Sequence, residues 1–282
     1  MPYAVASDGI RLHYQDIGRH GAPVVLLIQG LGADKNGWIA QRPALMLRYR
    51  VIAFDNRGAG RSDKPFGPYT LEQMADDAVA VLDACDVDRA HVVGASMGGA
   101  ITQLVYLRHP QRVRSMVLAC SACRNVPWRE ELLQSWADLA MSKGMGVMAH
   151  HAGRWVIGPR SFRRLWPAVG WLGPLALGRV PHAFAAQVKA IISVNDGQAD
   201  NLRDVKVPTL IMVGNQDILT PRADSEEMNE LIPGSELVVI SGAAHGFMIE
   251  HASTFNRVLK EFLERVSHER ADAVGSPVAL VG

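Results

Sequence analysis

The sequence predicts an α/β fold, a mostly parallel β-sheet flanked by helices. Two observations carry that prediction and a third places chemistry on it. Short apolar, β-branched runs recur without polar interruption, as in VVLLI at 24–28 and TLIMVG at 209–214. Strands buried on both faces read this way, because side chains on either side of the sheet must be apolar. Between these runs lie segments of helical length and period, and such alternation favours right-handed crossovers onto one sheet. The third observation is VVGASMGGAITQ at 92–103, which crowds Gly94, Ala95, Gly98 and Gly99 around Ser96 where an apolar run gives way to a helical pattern.

Taken in order, residues 11–17 alternate like a strand, and 24–28 form the first continuous apolar run. RVIAF at 50–54, AHVVG at 90–94 and VRSMVLA at 113–119 follow, then TLIMVG at 209–214 and ELVVI at 236–240. Helical patterns occupy 71–84, 97–109, 222–231 and 252–266. The first opens on Thr70 with Gln73 three residues on, the spacing of a capping box.

From 125 to 203 the rhythm breaks. This stretch shows no clear strand, and it holds Trp128, Trp136, Trp155, Trp166 and Trp171, five of the six tryptophans. Glycine and proline interrupt its short helical patterns. It reads as a helical cap inserted after the strand that ends near Ala119. The chain then divides into a core of residues 1–124 and 204–267, a cap of 125–203, and a small, polar, aperiodic tail of 268–282 expected to be disordered.

Composition narrows the function classes. A chain of 282 residues can bury a large core. Its formal net charge of +1, without a basic run, argues against nucleic acid as a partner. Three cysteines, Cys85, Cys120 and Cys123, make no disulfide framework and suit a reducing compartment. The first residues lack the layout of a signal peptide, and no stretch reaches the roughly 18 apolar residues of a membrane span. The expectation is a cytoplasmic protein.

Gly94-Ala95-Ser96-Met97-Gly98 fits G-x-S-x-G. Small residues are needed there if the serine sits on a sharp strand-to-helix turn that exposes its hydroxyl and aims helix N–H groups at the reacting centre. Alone, the pentapeptide also fits a tight turn that lets a helix lie close to a strand. A phosphate loop would end in Gly-Lys-Ser/Thr, which is absent. Context favours the nucleophile. A serine nucleophile requires a base, and the base an orienting acid. Asp217, in VGNQDILTP, lies just beyond the strand at 209–214, and His245, in SGAAHGFMIE, just beyond that at 236–240. All three residues therefore follow strand ends, the rim where parallel sheets build sites. The rivals fit less well: Asp204 precedes its strand, Asp55 belongs to a separate turn, His251 sits within the start of the last helix, and His150 and His151 pair in the insertion.

With these residues in place the chain resembles the α/β-hydrolase family, from Arg11 to about Val266. The resemblance rests on Gln29-Gly30-Leu31-Gly32 with Trp38, on DNRGAGRS at 55–62, and on 94–98, 214–221 and 242–246. It implies that the cap follows the sixth strand, and that the backbone N–H groups of Leu31 and Met97 form an oxyanion hole. It also implies a Ser96, Asp217, His245 triad cleaving carboxylic esters through an acyl-enzyme, with no cofactor and no metal. The substrate implied is a small ester or lactone with an apolar portion. Gln29 departs from the family, which usually carries His there.

DNRGAGRS reads as a structural turn in which Asp55 and Arg57 tie the loop down. Lactone or polyketide methyl-ester hydrolysis, perhydrolysis and carbon–carbon cleavage share these residues, and a non-catalytic receptor on the same fold is the remaining alternative. Cys120-Ser121-Ala122-Cys123 has redox or metal spacing without a second pair, so packing is the expected role. His150, His151 and His182 have no carboxylate at useful spacing for a metal. The insertion's aromatic residues, with Phe162, Leu165, Leu172 and Phe184, are expected to line an apolar pocket.

Overall fold

The computed structural model describes residues 2–159, 161, 180–194 and 197–274. Its eight strands are β1 (Tyr3–Val5), β2 (Arg11–Gly18), β3 (Val24–Ile28), β4 (Arg50–Phe54), β5 (Ala90–Ala95), β6 (Val113–Ala119), β7 (Thr209–Gly214) and β8 (Glu236–Ile240). They form one sheet in the order β1-β2-β4-β3-β5-β6-β7-β8. β2 runs antiparallel to β1 and β4, and the remaining neighbours are parallel. β3 pairs with β4 on one side and β5 on the other, so the strand order reverses around it. In open α/β sheets that reversal leaves a crevice outside the strands' carboxyl ends.

The main helices are α1 (Leu71–Ala84), α2 (Met97–Arg108), α3 (Pro127–Lys143), α4 (Met145–Val156), α5 (Pro181–Ile192), α6 (Arg222–Leu231) and α7 (Ala252–Val274). Successive residues of each parallel strand serve opposite faces, as the pleat requires. Val25, Leu27, Val93 and Val117 pack with Phe255, Leu259 and Phe262 of α7. Leu26, Ile28, Val92 and Leu118 pack with Met74 and Leu82 of α1 and Ile101 and Val105 of α2. This double burial is why the strands read as unbroken apolar runs. At the start of α1 the capping box forms: Gln73 N–H donates to the Thr70 hydroxyl at 3.1 Å, and Thr70 N–H to Gln73 Oε1 at 3.1 Å.

Helices α3, α4 and α5 lie between β6 and β7 and share a cluster of their own, in which Leu133, Trp136, Met148, Phe184 and Val188 meet Leu219. Phe162, Leu165, Trp166, Trp171 and Leu172 lie outside the described residues.

Two sequence readings are corrected. β1 was not anticipated, because three residues with an exposed–buried–exposed pattern give almost no periodic signal. The last helix continues through Val274 rather than ending near 266, so the start of the expected tail is helical. The run HERADA contains good helix formers, whose propensity outweighs the missing apolar period. Residues 275–282 lie outside the described residues. No described helix is long and apolar enough to cross a membrane.

Candidate active site

Ser96 sits between β5 and α2 with φ 54 and ψ −121. A positive φ is strained for any residue with a side chain, and such strain persists only where the surroundings enforce it. Here they do. A Cβ at Gly94 would run into the Gly98 carbonyl and the Thr102 hydroxyl, and one at Gly98 into the carbonyl of Ile28. The turn is pinned from β6, with Ser96 N–H donating to Ala119 O at 2.9 Å and the Ser121 hydroxyl to Ser96 O at 3.0 Å.

The loops after β7 and β8 bring Asp217 and His245 to the same rim. They are stitched together by Gln216 N–H donating to Ala243 O at 2.8 Å and Gly242 N–H to Asn215 Oδ1 at 2.7 Å. His245 Nε2 lies 3.0 Å from Ser96 Oγ, and its Nδ1 lies 2.8 Å from Asp217 Oδ2. Both partners of the imidazole are thus hydrogen-bonded at once, and Asp217 and His245 are buried.

Asp217 is held on every side. Leu219 and Thr220 N–H each donate to its Oδ1 at 2.9 Å, and the Thr220 hydroxyl donates to Oδ2 at 2.9 Å. Burial pushes the carboxyl up, but His245 and the Thr220 donors outweigh it and hold Asp217 below its ordinary value of 3.8. It is therefore a carboxylate at neutral pH. Thr220, which also stands 3.2 Å from His245 Nδ1, was missed in the sequence. A threonine three residues past an aspartate is too common to signal anything alone.

Leu31 and Met97 both line the cavity into which Ser96 opens. Met97 is the first residue of α2, where N–H groups have no partner within the helix. Among the described residues, neither Leu31 N–H nor Met97 N–H donates to a protein acceptor. Gly30 rests on the serine turn, since a Cβ there would stand 3.1 Å from Ser96 Cβ. Gln29 folds back so that its Oε1 accepts from Gly30 N–H at 2.8 Å. Its amide fits only because Gly37 opposite has no Cβ.

The rival residues go elsewhere. Asp55 is buried in a knot with Lys35 Nζ at 3.0 Å and His13 Nδ1 at 3.3 Å. Arg57 pairs with Asp77 at 2.6 Å and Asp8 at 2.8 Å, and so ties the DNRGAGRS turn to α1. Neither they nor Asp204 and His251 line the cavity, whereas His150 does. Cys120 and Cys123 are buried thiols, and burial raises both, Cys123 to about 12. Among the described residues no group of three or more His, Cys, Asp or Glu is placed to hold a metal.

Above Ser96 lies a cavity of about 620 Å³. Its far wall comes from the inserted helices: Leu133, Trp136, Met148, Phe184 and Ile191. Sequence reading foresaw an apolar lining but could not name these residues, apart from Trp136 and Phe184. Arg129, also unforeseen, anchors α3 near the acid loop: its buried guanidinium pairs with Asp224 and donates to Leu219 O at 3.3 Å.

A switch-point crevice, a serine on a strained turn after β5, and an acid and a histidine after β7 and β8 define a class. The chain belongs to the α/β-hydrolase family, whose profile, described as alpha/beta hydrolase fold, matches residues 23–252. Among its relatives is a Caulobacter vibrioides protein named as a carbamate hydrolase, RutD, 30% identical over 265 residues that cover 90% of this chain and 95% of the relative. The 3-oxoadipate enol-lactonase 2 of Acinetobacter baylyi is 26% identical over 93% of this chain and 96% of its own. In solved structures, the enol-lactonase of Burkholderia xenovorans LB400 superposes with a TM-score of 0.87 at 30% identity, over 93% of this chain and all of the other.

Proposed function

We propose that this hydrolase-family protein is a serine hydrolase that cleaves carboxylic esters. One observation carries the reading: Ser96, His245 and Asp217 form a continuous hydrogen-bonded chain at the floor of an apolar cavity. In this reading His245 Nε2 takes the Ser96 proton as Oγ attacks the ester carbonyl. Asp217, ionised and held by four donors, orients the imidazole and stabilises its cation. The N–H groups of Leu31 and Met97 receive the oxyanion, each worth about 3 kcal/mol in comparable sites. The alkoxide leaves with the proton from His245, and water then hydrolyses the acyl-enzyme with His245 as base. Helices α3 to α5, within residues 125–203, act as the cap over the site, and the apolar wall favours substrates with an apolar portion. The setting proposed is the cytoplasm.

The names of the relatives make lactones and carbamates the first substrates to set beside open-chain esters, since all three pass through the same tetrahedral intermediate. Turnover of a short-chain p-nitrophenyl ester tests the mechanism. Ser96→Ala is expected to abolish it, and a fluorophosphonate is expected to lose fluoride and add its phosphonyl group to the peptide holding Ser96. Full activity in Ser96→Ala would sink the proposal. Peroxide-dependent halogenation, or diketone turnover exceeding that of every ester, would move it to the perhydrolase or carbon–carbon branch.

A further inference from the structure

The loop that follows β3 spends its N–H groups selectively. Gly30 N–H goes to Gln29 Oε1 at 2.8 Å, and Ala33 N–H goes to Gly30 O at 3.3 Å. Gly32 N–H goes to a residue of a different element: Gln187 of α5 accepts it on Oε1 at 2.8 Å. The same amide donates from Nε2 to Arg57 O at 2.8 Å. With a donor on one side and an acceptor on the other, only this orientation of the amide satisfies both. Gln187 is fully buried, and α5 sits so close that a Cβ at Gly58 would lie 3.3 Å from Gln187 Nε2 and 3.4 Å from Ala183 Cβ.

Leu31 N–H has no described protein acceptor, and it stands between Gly30 N–H and Gly32 N–H, which are both consumed. We infer that Gln187 is a positioning residue for the oxyanion hole: by taking Gly32 N–H and bracing it against Arg57 O, it leaves Leu31 N–H directed at the carbonyl being attacked by Ser96. A peptide plane flanked by two fixed N–H groups has little freedom to rotate, and oxyanion donors work only when aimed in advance. The consequence is a coupling. The hole is complete when α5 is seated, so the inserted helices set the chemistry as well as the shape of the cavity. The inference rests on the serine hydrolase reading above.

The test compares wild type with Gln187→Met, which keeps volume and loses both hydrogen bonds, using a p-nitrophenyl ester and a matched pair of inhibitors. Ser96 Oγ adds to the carbonyl of an alkyl trifluoromethyl ketone as its proton passes to His245, and the carbonyl oxygen becomes an oxyanion in the hole. The corresponding methyl ketone fills the same space with little such addition. In Gln187→Met, kcat is expected to fall between about 10- and 100-fold with KM nearly unchanged. The trifluoromethyl ketone weakens by a similar factor and the methyl ketone does not. A variant that melts lower yet keeps kcat and trifluoromethyl ketone affinity within two-fold would overturn the inference and leave Gln187 a packing residue.

Amide exchange in the wild-type protein gives a second reading that needs no variant. Gly32 N–H is expected to be protected in the free enzyme, and Leu31 N–H to become protected only with the trifluoromethyl ketone bound. Equal, fast exchange of both in the free enzyme would also overturn it. Ser96→Ala separates the two levels: if it retains full esterase activity the mechanism itself has failed, whatever Gln187 does.

Discussion

Thr220 shows how much of the site depends on one unremarkable hydroxyl. Its Oγ1 donates to Asp217 Oδ2, the same oxygen that faces His245 Nδ1, and its N–H holds Oδ1. Thr220→Val removes the hydroxyl donor while keeping shape. A hydrogen bond to a buried group is worth about 1 kcal/mol, so the plateau kcat/KM is expected to fall roughly five-fold, read from ester hydrolysis. The sign of its pH effect follows from Asp217. Its folded value lies below 3.8, so its partners stabilise the fold fully above about pH 4, and that stability is lost as pH falls through the folded value. The stability gap between wild type and Asp217→Asn should therefore narrow in urea titrations taken below pH 4. A gap that stays constant from pH 7 to 3 would rule out this linkage.

At the scale of elements, the site is a set of turns held by ion pairs and by absent Cβ atoms. Arg57 joins the turn after β4 to α1 through Asp77, and both partners are almost wholly buried. Removing one partner strands the other, so Arg57→Ala is expected to cost about 3–5 kcal/mol, measured by chemical denaturation. KM of the folded fraction should not rise, because Arg57 does not line the cavity. Gly94→Ala is expected to be worse for catalysis than for solubility. The new methyl must displace the Gly98 carbonyl, which carries the serine turn, and fluorophosphonate labelling should slow by at least about ten-fold. At the start of α1, Thr70→Ala removes a cap that does not itself line the cavity. It is expected to cost about 1 kcal/mol of stability in a melting curve and leave kcat alone.

Across the whole molecule, what was legible in the sequence followed from periodicity. Ser96, Asp217 and His245 could be named because each follows an apolar run, and parallel strands place all their carboxyl ends on one rim. Their order along the chain was informative because the rim, and not sequence proximity, brings them together. The structure places them 3.0 and 2.8 Å apart across 149 and 28 residues. Gln187, Thr220 and Arg129 left no such trace. Each acts through long-range or turn contacts that no repeat announces, and Gln187 reaches Gly32 across 155 residues. β1 and the last turns of α7 escaped for the opposite reason, being too short or too polar to show a period.

The sheet, the serine turn and the three residues that meet at Ser96 were legible in the chain alone. Local sterics and alternating burial act on neighbouring residues, and neighbouring residues are what a sequence displays. Which N–H groups remain without a protein acceptor beside Ser96, and which side chains close the cavity above it, emerged from packing. Those depend on how α3 to α5 settle onto the rim, a packing of distant surfaces in which hydrogen bonds such as Gly32 to Gln187 are made or lost together.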